Sequence, residues 1–182
     1  MWRTLTALLI CVLFSCCTPS SVEEWRKGAE AGDANAQLMV GKAYANGNGV
    51  AKDAAEALKW FRMAAEKGGA EAQFEVGCAY ANGQGTAKNP GVAAQWYRKA
   101  AEQGHWGGQE FLGTLYLDGD GVPRDFVEGY AWICLAAGSG YSPYSGKHKA
   151  MLEKELTAAQ IAQGKARFTK LAAQIEEHRK RR

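Results

Sequence analysis

Histidine and cysteine are the side chains with which this chain could hold a metal ion or attack a substrate, and their spacing favours neither activity. No two of the three histidines, His105, His148 and His178, have the i, i+4 spacing of a helical metal site, and the sequence contains neither HExxH nor CxxC. Cys78 could act as a nucleophile, but no histidine lies near it in sequence to activate the thiol. We therefore predict no catalytic residue, no metal and no cofactor.

Cys16 has a different chemistry, because it follows a segment typical of an export signal. The apolar run 5–14 is too short to span a bilayer, which needs about 20 residues. It ends in Leu-Phe-Ser-Cys (13–16), which resembles a lipobox, although the aromatic residue at −2 is atypical and cleavage after Cys17 is the alternative. We expect 1–16 to be a signal peptide, the mature chain to be exported to a bacterial periplasm, and Cys16 to carry a lipid that tethers it to a membrane.

Composition narrows the class of protein. A hydrophobic fraction of 47% is typical of a folded domain, and a net charge of +3 is too weak and too evenly spread to indicate nucleic-acid binding. Apart from the cysteines near the leader, Cys78 and Cys134 remain, and two cysteines do not make a disulfide scaffold. A bridge between them is possible in an oxidising compartment.

A period of 36 residues organises the chain. Glycine, tyrosine and tryptophan recur at this offset without a gap: Gly41, Gly77 and Gly113; Tyr44, Tyr80 and Tyr116; Trp60, Trp96 and Trp132. Glycine-x-glycine pairs recur in the same way, so Asp118-Gly-Asp120-Gly is a repeat turn rather than a calcium loop. The period predicts three copies, 33–68, 69–104 and 105–140, in an all-α stack of helix pairs.

Each copy is expected to contain a helix A, a turn and a helix B. In the first copy the pattern places helix A at 34–46 and helix B at 54–67. Asp53, Asn89 and Asp125 stand where an N-cap of helix B is needed, and Gly68 is a left-handed helix stop. A glycine inside helix A costs about 1 kcal/mol against alanine. We expect the tryptophans of helix B to lie over these glycines and the neighbouring tyrosines, and to compensate for that cost through close packing.

The ends of the stack depart from the full unit. Residues 17–32 are predicted to form a linker and an N-terminal capping helix, because 25–32 matches 61–68. Residues 141–182 are predicted to form C-terminal capping helices, the last of which opens with a capping box at Thr157–Gln160. Its apolar stripe is expected to cover the open end of the stack, and consists of Ile161, Phe168, Ala172 and Ile175.

The pattern Ala-x-x-x-[Leu/Val]-Gly-x-x-Tyr-x-x-Gly-x-Gly, followed by Asp-x-x-x-Ala-x-x-Trp-[Phe/Tyr]-Arg, resembles the Sel-one-like repeat, a relative of the tetratricopeptide repeat. The resemblance covers about residues 22 to 140, and Ile133, Cys134 and Gly108 depart from it in the third copy. It implies a right-handed α-solenoid whose A helices line a concave surface that binds other proteins.

The tetratricopeptide register assigns groove positions to this sequence. They share one stripe of helix A: Leu38, Lys42, Ala45 and Asn46; Phe74, Cys78, Ala81 and Asn82; Glu110, Thr114, Leu117 and Asp118. The implied function is that of a scaffold or adaptor in the bacterial cell envelope, monomeric, with a protein or peptide partner held in the groove. The alternative is a β-lactamase-like or cell-wall-modifying enzyme of the cysteine-rich repeat type, although such relatives carry paired cysteines in each repeat.

Overall fold

The computed structural model describes residues 20–141 and 144–181, and within them every regular element is a helix. The helices are α1 (Ser20–Glu30), α2 (Ala34–Asn46), α3 (Ala54–Glu66), α4 (Ala70–Asn82), α5 (Pro90–Glu102), α6 (Trp106–Asp118), α7 (Phe126–Gly138), α8 (Ser145–Glu155) and α9 (Ala158–Lys180). The predicted leader, with Cys16, lies outside the described residues. Among the described helices, none is both long and apolar enough to cross a membrane.

Consecutive helices pack against each other in antiparallel pairs and form a right-handed α-solenoid, which confirms the predicted fold class. The A helices are α2, α4 and α6, and the B helices are α3, α5 and α7. α1 stands before the first pair as a lone B-type helix. Asp53 accepts hydrogen bonds from two backbone N–H groups of α3, and Asn89 and Asp125 cap α5 and α7, as predicted.

A buried glutamine connects each A helix to the B helix before it. Gln37, Gln73 and Gln109 donate to the carbonyl oxygens of Ala29, Ala65 and Ala101 at 3.0, 3.2 and 3.2 Å. The residue one repeat further on is Ser145, which is fully buried in the first turn of α8. α8 therefore takes the place of a fourth A helix, although its sequence has lost the repeat's glycine and tyrosine.

The prediction that tryptophans cover the helix A glycines is wrong. A Cβ atom added at Gly77 would lie 2.5 Å from the ring of Tyr97, the residue that follows Trp96. The corresponding neighbours of Gly41 and Gly113 are Phe61 and Ile133. One residue along a helix turns a side chain by about 100°. Trp60 and Trp132 therefore miss the glycines and pack in clusters with other residues of their A helices, Val40 and Leu112.

α9 takes a different position from the one predicted for it. It packs against the B helices α7 and α5, whereas α8 covers the end of the stack. Arg167 of α9 pairs with Glu128 of α7 at 2.6 Å, and the close approach requires Gly164, where a Cβ atom would lie 2.4 Å from Tyr130. The predicted stripe does face the protein, because Phe168 and Ile175 pack against the core beside Trp132.

Cys78 and Cys134 are both free thiols, so the described structure contains no bridge between them.

Candidate partner-binding face

The three A helices lie side by side and bring together six side chains that we call the A face: Lys42, Glu71, Phe74, Glu75, His105 and Phe111. An ion pair connects α2 to α4, and an aromatic contact connects α4 to α6. The A face therefore extends over all three repeats.

Aromatic rings form the centre of the A face. Phe74 stacks on His105 with ring centroids 4.7 Å apart, and it also contacts Phe111 at 5.8 Å. Phe111 stacks on the buried ring of Tyr97 at 5.5 Å. Despite these contacts 46% of Phe111 is exposed, so part of an apolar ring that is supported by the core is accessible to a partner.

Charged side chains lie beside the rings. Lys42 of α2 donates a hydrogen bond to Glu71 of α4. Burial raises the pKa of Glu75, and the ammonium group of Lys42 opposes part of that shift. Because the Lys42–Glu71 pair is partly solvated, it contributes at most about 1 kcal/mol to folding, and its groups remain accessible to a partner.

His105 connects the aromatic and charged parts. It is the N-cap of α6, and its Nδ1 accepts a hydrogen bond from the backbone N–H of Gly108 at 3.2 Å. An Nδ1 atom that accepts cannot carry a proton, so this cap requires the neutral imidazole. Burial lowers the pKa of His105 below its ordinary value of 6.5, and the cap is therefore formed at neutral pH.

We predict that His105 makes the stability of the protein depend on pH. At a pH between the lowered pKa of the folded state and 6.5, the unfolded chain binds more protons than the folded chain does. The contribution of His105 to the free energy of unfolding is therefore largest above pH 6.5 and decreases as the pH is lowered through this window. His105→Asn keeps a good N-cap and removes the titration. Urea unfolding at about pH 7.5 and about pH 5.5 should show a smaller loss for His105→Asn than for the unaltered chain. Equal losses of stability in the two proteins would show that protonation of His105 is not the cause of the pH dependence.

The predicted groove residues of the first two copies take different positions. Leu38 packs against the core between the first two repeats, while Asn46 and Asn82 are exposed at the ends of their helices. Cys78 accepts a hydrogen bond from the hydroxyl of Tyr97 at 3.5 Å. Burial raises the pKa of the Cys78 thiol to about 11, so the thiol is protonated at neutral pH and is a poor nucleophile.

In the third copy the chain's own α8 lies against the predicted groove. Glu110 accepts a hydrogen bond from Ser145, and the hydroxyl of Thr114 donates to the backbone of its own helix. Asp118 and Thr114 line a cleft of about 440 Å³ between α6 and α8, together with Met151. The accessible part of the A face is therefore concentrated in the first two copies and on Phe111.

A smaller cleft of about 250 Å³ opens between α2, α3 and α4. Its position is equivalent to that of the cleft between α6 and α8, two repeats closer to the N-terminus. Ala45, Leu58 and Ala79 line its floor, and Glu75 lies at its side. The cleft gives the A face an apolar recess next to a carboxyl group.

The sequence argument missed Glu71, Glu75, His105 and Phe111. Glu75 and Phe111 are equivalent residues, each one position after a predicted groove residue. The 36-residue offset could have identified them, had the stripe been drawn one residue wider. Among the described residues, no three histidine, cysteine, aspartate or glutamate side chains converge as a metal site would require.

Two solved proteins resemble this chain. A Sel1 repeat protein from Oxalobacter formigenes is 40% identical over 61% of this chain and 46% of its own length, with a TM-score of 0.59. A protective antigen present in uropathogenic Escherichia coli strains, which displays an SLR fold, is 32% identical over 85% of this chain and 41% of its own length, with a TM-score of 0.65. The chain thus spans less than half the length of either protein.

No curated protein matches the chain. The model of the Sel1 repeat matches it three times, at residues 34–69, 70–105 and 107–141, and so covers more than half of the sequence. Each match contains one of the helix pairs described above. This chain belongs to the Sel1 repeat family.

Proposed function

We propose that the protein is a scaffold or adaptor that holds a partner protein on the A face, the concave side of its superhelix. Sel1 repeats generally mediate protein–protein interactions, and proteins built from them are typically non-catalytic scaffolds. The observation that carries the proposal is the exposed ring of Phe111, which lies on α6, the last of the three A helices, and is held in place by Tyr97 and Phe74. Rigid aromatic side chains of this kind are frequent hot spots of protein interfaces.

The partner segment is proposed to combine an apolar side chain with a basic one. The apolar side chain would pack against Phe111 and Phe74, and the basic one would approach Glu71 and Glu75. Because Lys42 already pairs with Glu71, a partner's cation would compete with it, and the interaction should weaken as salt is added.

We also propose that the protein acts in the bacterial cell envelope, exported by the leader 1–16 and tethered by a lipid at Cys16. The proposal is supported by the apolar run and by the cysteine that ends it. Incorporation of a labelled fatty acid into the wild-type chain but not into Cys16→Ser tests the tether. Labelling of neither would favour cleavage after Cys17. No observation on Cys78 favours the alternative of an enzyme, because its thiol is protonated at neutral pH.

Photocrosslinking in cells tests the A face. A photoreactive phenylalanine analogue at position 111 should give one dominant crosslinked partner, because the side chain there is exposed and belongs to the A face. Phe111→Ala in a tagged chain should weaken binding of that partner by about 30-fold, because losing a hot spot costs about 2 kcal/mol, and recovery should fall accordingly.

The matched control is Tyr141, an aromatic residue that is 77% exposed, lies after the third repeat and is not one of the six side chains of the A face. The same analogue at position 141 should not capture the partner, and Tyr141→Ala should leave its recovery unchanged. Capture of the same partner from both positions, or recovery that survives Phe111→Ala, would place the binding surface elsewhere.

A further inference from the structure

The surface of α5 and α7 on which α9 packs, which we call the seat of α9, shows what this solenoid's B helices can bind. Arg167 of α9 donates two hydrogen bonds to the carboxylate of Glu128, at 2.6 and 3.1 Å. The same carboxylate accepts a bond from the indole Nε1 of Trp132 at 3.0 Å. Leu171 of α9 packs against Trp132, only 1% of which is exposed. An arginine, a carboxylate and an indole therefore form one chain of hydrogen bonds under a docked amphipathic helix.

The residues of this seat recur two repeats earlier, on α1 and α3. The equivalent pairs are Arg26 and Arg98, Glu30 and Glu102, Glu56 and Glu128, Trp60 and Trp132, and Met63 and Leu135. Arg26 donates to the hydroxyl of Tyr44 as Arg98 donates to that of Tyr116, and each guanidinium lies over the tyrosine ring, at 6.0 and 5.6 Å. We call the surface formed by Arg26, Glu56, Trp60 and Met63 the N-terminal B face.

The N-terminal B face contains the same parts without an occupant among the described helices. Nε1 of Trp60 is buried and has no hydrogen-bond partner in the described structure, although the indole is 8% exposed. Glu56, which would accept from it by analogy with Glu128, instead pairs with the exposed Lys59 at 3.2 Å. A buried indole N–H without an acceptor is rare in folded proteins and marks an incomplete site.

The middle repeat does not have this surface. Val92 stands where the other two faces have glutamate, and Arg62 is exposed. The likeness is therefore confined to the first and third repeats, and it is a property of particular side chains rather than of the repeat pattern.

We propose that the N-terminal B face is a second docking site, which takes an amphipathic helix from a partner protein. The helix would carry the side-chain pattern of α9: an arginine followed by apolar residues at +1, +4 and +8, as in Arg167, Phe168, Leu171 and Ile175. Its guanidinium replaces Lys59 at the carboxylate of Glu56, and Glu56 then accepts from Nε1 of Trp60.

Two features select this occupant. Glu56 supplies the negative charge that an arginine needs, and a planar guanidinium matches a carboxylate better than the ammonium of Lys59 does. A second copy is disfavoured, because its matching helix, α9, is already docked on its own α5 and α7. Lys59, at the position of Ala131, departs from the seat of α9, but its flexible and exposed side chain can move aside.

The site lies on the B helices and goes beyond the proposed function of the A face. A labelled peptide of residues 157–181, which contains α9 and its N-cap, serves as the probe and is titrated into the full chain by fluorescence anisotropy. We expect saturable binding that is weakened about tenfold by Glu56→Gln in the protein or by Arg167→Ala in the peptide. The two changes together should weaken it no more than either alone, because they remove the same contact. Binding should also shift the indole N–H resonance of Trp60 towards that of a hydrogen-bonded indole.

Glu66→Gln is the matched control, since it makes the same change on the same helix outside the N-terminal B face, and Phe111→Ala separates this site from the A face. Neither should alter peptide binding. The proposal is overturned by absence of binding, by equal effects of Glu56→Gln and Glu66→Gln, or by sensitivity to Glu128→Gln instead, which would mean exchange with the chain's own α9. Self-association of the chain that depends on Glu56 would also overturn it, in favour of a second copy as occupant.

Discussion

Replacing Gly77 with alanine should lower the free energy of unfolding by about 2 kcal/mol, although alanine is the better helix former by about 1 kcal/mol. The added Cβ atom would lie 2.5 Å from one carbon of the Tyr97 ring and 2.6 Å from another. Tyr97 is buried and is held by Phe74 and Phe111, so it cannot move without disturbing the core. Overpacking of this kind costs about 1–3 kcal/mol, and so close a contact with a fixed ring belongs at the upper end.

Gly138→Ala provides the control for helix propensity. Gly138 is also helical, but nothing lies within 4 Å of a Cβ atom added there. That variant should be as stable as the unaltered chain or more stable by up to about 1 kcal/mol. Urea unfolding followed by circular dichroism measures both variants. If Gly77→Ala were as stable as Gly138→Ala, close contact with Tyr97 would not be the reason for the glycine.

The glycines show how far the sequence argument could go. A costly residue that recurs inside a helix indicates close packing, and the structure confirms that contact. The identity of the neighbour was wrong by one residue, because the tryptophans are the larger and more regular side chains. The rotation between neighbouring positions of a helix decides which side chain faces the partner helix, and periodicity alone does not supply that phase.

The C-terminal helices mark a second limit. The repeat period ends after Gly140, so nothing in the sequence places α8 or α9 relative to the stack. Buried Ser145 stands where the repeats have glutamine, and a serine gave no sign that α8 continues the row of A helices. The apolar stripe of α9 could be predicted. Its docking on α5 and α7, however, depends on contacts between residues that are far apart in sequence: Gly164 with Tyr130, and Arg167 with Glu128.

The A face was predicted in part for a related reason. Lys42 and Phe74 were identified because they belong to a known register, whereas His105 lies at the start of a helix and Phe111 one residue off the stripe. What makes His105 part of the A face is a stacking contact of 4.7 Å with a residue of another repeat. Such contacts depend on how repeats are rotated relative to each other, which single positions do not encode.

Trp132→Ala should be far more destabilising than Trp96→Ala, although the two residues hold the same position in successive repeats. Trp132 is 1% exposed because Leu171 and its neighbours on α9 cover it, and its Nε1 donates to Glu128. Removing so large a buried side chain should lower the free energy of unfolding by about 3–5 kcal/mol. Trp96 is half-buried and lies beneath the ammonium group of Lys99 at 4.1 Å, so its loss should cost about 1–2 kcal/mol.

The location of the damage distinguishes this explanation from general instability. Since α9 rests on Trp132, Trp132→Ala should release α9 before the repeats unfold, and trypsin should then cleave at the basic residues of α9 while the three repeats stay intact. Trp96→Ala should leave α9 protected. Equal losses of stability in the two variants, with no early cleavage of α9, would mean that α9 does not depend on Trp132. Cleavage confined to α9 would show instead that the third repeat differs from the second mainly through the helix that covers it.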